Sequence, residues 1–148
     1  MQKTEIPTDF KALNITSPAF KPDGNIPSRY TCDGVDANPA LDISAIPEEA
    51  KSLVLIVEDP DASAGIVWNI PITHHIKEND APGNQGRNDF GRNDYGGPCP
   101  PSGKHRYFFK VYALDDVLSL PDGSRRKEVE KAMLDHILAY GELMGVYK

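Results

Sequence analysis

Cysteine and tryptophan are scarce in this chain: two of the first, Cys32 and Cys99, and one of the second, Trp68. Two thiols cannot form a disulfide framework or a four-thiolate zinc site, and two reduced thiols are the default for an intracellular chain. No apolar run approaches the length of a bilayer span; the longest, Leu53 to Val57, is far too short. The opening MQKTEIPTDF lacks the apolar stretch of a secretory signal, so a cytoplasmic protein is expected. Positive charge is in deficit as well. Lys and Arg number 16 against 22 Asp and Glu, a net charge of −6, which argues against general nucleic-acid binding but leaves room for one local cationic pocket. No Walker loop, GxSxG elbow or GxGxxG fingerprint occurs.

Glycine and proline, by contrast, are plentiful, at 12 and 13 among 148 residues. That length fits a single domain spanning residues 1–148, with enough chain for a real core. With 39% hydrophobic and 26% charged residues it reads as globular rather than disordered. The frequent breaks predict short strands and turns over most of the chain. Leu13 and Ile15 alternate with polar neighbours, as on a half-buried strand. Ser52 to Val57 reads as a central strand buried on both faces, Ile66 to Ile70 as another, and Arg106 to Leu114 as the clearest of all. After Ser124 the period changes: Val129, Ala132, Met133, His136, Ile137 and Tyr140 recur at helical spacing. Ser124 is the expected N-cap and Gly141 the expected stop, with GELMGVYK returning as a short last strand. The pattern predicts a mainly β sandwich with one late helix.

Three stretches carry candidate chemistry. Asp59 and Asp61 flank Pro60 where a buried strand ends; such a carboxylate pair can bind a metal, move a proton or hold a cationic group, or be a solvated turn. In GGPCPPSGKHRY, a stiff Gly/Pro loop leads to His105 and Arg106 at a strand entrance, a setting that could cradle an anion. Thr73-His74-His75 offers adjacent imidazoles that would point to opposite faces of a strand, so they are read as loop residues rather than as ligands of one metal. His136, on the apolar stripe, reads as a satisfied core residue. The tandem GRNDF–GRNDY between Gly86 and Tyr95 is expected to be an ordered loop and a wall of the site. No nucleophile with a clear partner and no metal-ligand cluster stands out, and nothing calls for a cofactor.

SPAFKPDGNIPSRYTCDG, KSLVLIVEDPDA and GRNDFGRNDYGGPCPPSGKHRYFFKVYALD resemble the phosphatidylethanolamine-binding protein (PEBP) family in its bacterial and archaeal branch, from about Ile15 to Tyr147. Its eukaryotic relatives include Raf kinase inhibitor protein. The resemblance implies two antiparallel sheets in a Greek-key, β-sandwich-like fold with a C-terminal helix. It also implies a small non-catalytic pocket for phosphate, phosphorylethanolamine or acetate. Carried over by position, that pocket is lined by Asp59, Asp61, Gly97, Pro98, His105 and Tyr107, with His105 donating to phosphate oxygens. A kinase or phosphoprotein partner and a homodimer are further implications, the first by analogy with eukaryotic relatives only. The alternatives are a small-ester hydrolase using Asp59 or Asp61 with His105, and a module acting through its surface. One departure is plain. The family carries a short stretch with a Trp and a His after DPDA, whereas here DPDASAG runs straight into IVWNIP, so either the pocket is trimmed or, the reading preferred, a loop is omitted at that point.

Overall fold

The computed structural model describes residues 11–35, 37–59, 62–80, 82–86 and 105–147. Among these residues the strands are β1 (Lys11–Ala12), β2 (Asn14–Thr16), β3 (Leu41–Ser44), β4 (Ser52–Asp59), β5 (Ala62–Ile70), β6 (His75–Ile76), β7 (Asn84–Gln85), β8 (His105–Leu114) and β9 (Ile137–Tyr147). Helix α1 spans Arg126–Met133. The larger sheet runs β1-β9-β8-β4-β5-β7 and the smaller β2-β3-β6. Pairing is antiparallel throughout except for β1 on β9, which is parallel. The fold is mainly β, as the residue pattern predicts. None of the described helices is long and apolar enough to cross a membrane.

Strand β4 explains the architecture. It lies between β8 and β5, and Leu53 to Val57 are all essentially buried because both faces of the larger sheet are covered. Leu53, Leu55 and Val57 join Phe109, Val111 and Ala113 in a core closed by the smaller sheet through Ile15, Leu41 and Ile43. Val54 and Ile56 face the other way, with Trp68, Tyr112 and Leu114, and α1 covers them with Val129 and Met133. The result is three layers, helix on sheet on sheet, each amphipathic element burying its apolar side.

The helix is shorter than its periodicity suggests. Ile137 is already in β9, opposite Leu114, and from there Ala139, Gly141, Leu143, Gly145 and Tyr147 alternate inward with the period of a strand. Ladder pairing with β8 overrides about two more turns of helical pattern. The N-cap position is Arg125, not Ser124: the Ser124 hydroxyl donates to Pro121 O at 2.7 Å, and the Arg125 N–H donates to Glu128 Oε1 at 2.9 Å. Gly141 is therefore no helix stop but a mid-strand residue with a packing reason. A Cβ built there would lie 2.4 Å from the Leu13 carbonyl oxygen, because Leu13, between β1 and β2, lies against β9 at backbone contact. Gly141→Ala is expected to destabilise the protein by about 1–3 kcal/mol, the range for overpacking against something that cannot yield. Urea unfolding checks it, with no change at all as the contrary result.

Where the resemblance points to an omitted loop after DPDA, the residues flanking that point are paired strand. Glu58 pairs with Ser63 and Asp59 with Ala62, so the β4–β5 ladder continues up to the last described residues on either side. Ser63 to Gly65 belong to β5, so the strand begins earlier than the Ile66 to Ile70 expected from the sequence. The register shifts by one between Val57 and Glu58, a β-bulge near the end of that ladder.

Candidate functional site

Antiparallel order brings three strand ends to one edge of the larger sheet: the end of β4, the start of β8 and the end of β9. His105 opens β8 and pairs with Tyr147, the last residue of β9; Tyr107 pairs with Gly145. Glu58 pairs with Phe108, so Asp59, the next residue, comes level with Tyr107 on the neighbouring strand. His105 and Tyr107 are two apart on one strand and so share a face. Their rings stack with centroids 6.4 Å apart and planes 28° from parallel. Tyr107 is buried with the interior core, while His105 is half-buried at the rim. An imidazole N–H over a buried phenol is a hydrogen-bond donor whose ring orientation is fixed by packing.

Of the six residues singled out from the sequence, His105 and Tyr107 are thus brought together, and Asp59 comes to the same strand edge. The Asp59 side chain lies outside the described residues, as do Asp61, Gly97 and Pro98 and all of the GRNDF–GRNDY loop after Gly86.

Two residues that sequence reasoning passed over also meet here. The Tyr147 hydroxyl donates to Asp33 Oδ2 at 2.5 Å, across 114 positions of sequence. Asp33 is placed by its own turn: Thr31, fully buried, donates through Oγ1 to Ser28 O at 2.7 Å and accepts the Asp33 N–H at 3.2 Å. The turn is close-packed, since a Cβ at Gly34 would lie 2.4 Å from Ser28 O. Between Thr31 and Asp33 sits Cys32, and it is disulfide-bonded, which overturns the expectation of two reduced thiols.

The remaining histidines are elsewhere. His74 contacts the Ile43 carbonyl oxygen through Nδ1 at 3.1 Å, and His75 meets Asp42 Oδ1 at 2.6 Å. They have different partners: His74 lies in the bend before β6, as the loop reading expects, whereas His75 belongs to the short strand β6 itself. His136 is not a core residue: α1 ends before it, leaving the ring partly exposed and its Nδ1 2.7 Å from Asp115 Oδ1. Among the described residues, no three His, Cys, Asp or Glu side chains are grouped so as to hold a metal ion.

A family model described as phosphatidylethanolamine-binding protein matches residues 16–148. The chain belongs to the PEBP family. A UPF0098 protein of Pyrococcus horikoshii is 52% identical over 139 residues, covering 83% of this chain and 70% of that relative. The crystal structure of a PEBP homologue from Chlamydia trachomatis superposes with a TM-score of 0.87 at 43% identity, covering 93% of this chain and 98% of that one. The structure of E. coli YbcL, described as a new member of the mammalian PEBP family, gives 0.84 at 29% identity, over 92% and 98%. In the Pyrococcus alignment 83% of 148 residues, about 123, face 139 positions, so the relative carries residues with no counterpart here.

Proposed function

We propose that this PEBP-family protein binds a small phosphate-type anion, free or as a phosphorylated headgroup, at the edge where β4 and β9 end and β8 begins, and that it holds this ligand without transforming it. The observation that supports this is the His105–Tyr107 pair: a half-exposed imidazole stacked beside a buried phenol, opening the strand that the Gly/Pro-rich segment leads into. An imidazole N–H donates to anion oxygens, and a hydrogen bond to a charged group contributes roughly 1.5–3 kcal/mol. Asp59 and Asp61 would face the cationic end of a zwitterionic headgroup such as phosphorylethanolamine. Binding is the reading favoured over hydrolysis because the pair supplies an anion donor but no nucleophile.

Titration with inorganic phosphate, followed through the His105 imidazole by NMR, tests the reading. His105→Ala is expected to weaken phosphate binding at least tenfold, while His136→Ala leaves it unchanged. Phosphorylethanolamine binding more tightly than phosphate, and losing that advantage in Asp59→Asn, would assign the carboxylate its role. Absence of any His105 shift at millimolar phosphate overturns the proposal.

A further inference from the structure

The Asp33 carboxylate stands beside the strand-end site without a role in the binding proposed above. We infer that Asp33 selects the ligand by its proton: the site takes an oxyanion that still carries an O–H, such as hydrogen phosphate, and rejects sulfate and phosphodiesters. The inference rests on the binding reading above and narrows it, from phosphate-type anions in general to free phosphate over an intact diester headgroup.

The β8–β9 ladder places the carboxylate. Tyr147 lies directly opposite His105. Directly opposed residues of an antiparallel pair project to one face with Cβ atoms about 4.5–5.5 Å apart, so the Tyr147 phenol flanks the His105 imidazole. Tyr107, on the same face, stacks its ring on His105 at 6.4 Å. The Tyr147 hydroxyl then donates to Asp33 Oδ2 at 2.5 Å, which puts Asp33 one hydrogen bond beyond the ring beside the imidazole. The backbone of Asp33 is anchored. It lies inside a turn closed by the Gly34 N–H on Thr31 O at 3.1 Å. The chain ahead of that turn is joined to the end of β9, with Ile26 N–H donating to Val146 O at 2.8 Å and Val146 N–H to Gly24 O at 2.9 Å. Tyr107 and Tyr147 are buried, whereas His105 is half-buried and Asp33 exposed. An anion arriving from solvent at this rim therefore meets an N–H donor and a carboxylate together.

A carboxylate at an anion site repels its ligand unless the ligand brings a proton. Ionised, it only accepts, at about four lone-pair positions, so the bond from Tyr147 is compatible with a second one from a ligand. Sulfate and phosphodiesters have acceptors only, and their oxygens would face Asp33 lone pair to lone pair. Hydrogen phosphate matches sulfate in shape and charge but keeps one O–H. That group donates to the carboxylate, a charge-assisted bond, while the remaining oxygens accept from His105. Discrimination of this kind comes from repulsion of the wrong ligand as much as from attraction to the right one.

The test titrates the wild type with phosphate and with sulfate at mildly alkaline pH, where both are dianions, and follows the His105 imidazole by NMR. Phosphate is expected to bind at least tenfold more tightly. Glycerophosphorylethanolamine, a soluble diester headgroup, is expected to compete no better than sulfate; a diester that binds as tightly as phosphate overturns the inference. Asp33→Asn replaces the charge with an amide donor and is expected to raise sulfate affinity at least tenfold, closing the gap. Asp42→Asn makes the same change of net charge at a carboxylate bonded to His75 on the smaller sheet, and is expected to leave the ratio of affinities unchanged. A merely structural Asp33 would weaken both anions together in Asp33→Asn, and that unchanged ratio overturns the inference. Equal affinities in the wild type overturn it too, with no variant required to fold, and leave the binding reading standing. If neither anion binds the wild type, the binding reading itself falls and takes the selectivity with it.

Discussion

Phe109→Ala is expected to destabilise the protein by about 3–5 kcal/mol, the usual cost of emptying a buried aromatic site. Phe109 is fully buried in the middle of β8, opposite Val57 of β4 and Leu143 of β9. Its ring lies 5.6 Å from that of Phe20, tilted 48°, so one side chain joins the larger sheet to the loop that leaves β2. The surrounding residues are held by ladder hydrogen bonds and cannot collapse into the space, which places the cost in the upper part of the range for a large-to-small change. A typical domain is stable by about 5–15 kcal/mol, so this one substitution removes a large share. The melting temperature should fall by roughly 10 °C or more. Phe108→Ala is the internal control. Phe108 points to the other face, half-buried, with Arg106 and Lys110 each 5.9 Å from its ring centre, and is expected to cost under about 1 kcal/mol. Urea unfolding of both variants checks the contrast; equal losses would mean the two faces of β8 are not covered as described.

That contrast was legible in RYFFKVYAL, because alternation along a strand is a local property and β-branched and aromatic residues advertise it. The same holds for Leu53 to Val57, and for the placement of His105 and Tyr107 on one face. Legibility ended where two local patterns compete. Between Ile137 and Tyr140 helical and strand periods both fit, and the choice is made by β8, a partner more than twenty positions away. Gly141 looked like a stop because the reason for it, the Leu13 carbonyl against its Cα, belongs to tertiary packing. The site divides in the same manner. His105 and Tyr107 are two apart and announce each other, whereas Asp33 and Tyr147 are joined only after β9 has paired with β8 and Asn25 has bridged to Val146. No spacing rule reaches across such a distance, and the disulfide at Cys32 is hidden for the same reason.

Glu58→Ala is expected to cost about 3 kcal/mol, because it strands two cations rather than because it loses a favourable pair. Glu58 projects from β4 toward α1, on the opposite face from the site. Its Oε1 receives Arg126 Nη2 at 2.5 Å and Lys110 Nζ at 2.9 Å, and Arg126 also reaches Glu130 at 3.3 Å. The carboxylate side chain keeps 13% exposure against 22% and 26% for the cations, which puts the cost at the low end for a buried pair. Burial pushes the Glu58 carboxyl up, but the Lys110 hydrogen bond and the Arg126 charge outweigh it and leave the group below its ordinary value. The sign of the pH dependence follows. A carboxyl whose folded pKa lies below its unfolded one adds stability above the ordinary glutamate range near 4.5, and that contribution is lost as pH falls through the folded value. The gap between the wild type and Glu58→Ala should therefore be widest near neutrality and narrow steadily below about pH 4.5. Pairing Glu58→Leu with Arg126→Leu should recover part of the loss, since the guanidinium is removed together with its counter-ion and only Lys110 is left without one. Urea unfolding of the single and double variants at neutral and acid pH measures both effects. A loss independent of pH and undiminished in the double variant would show that Glu58 acts by packing and not by charge.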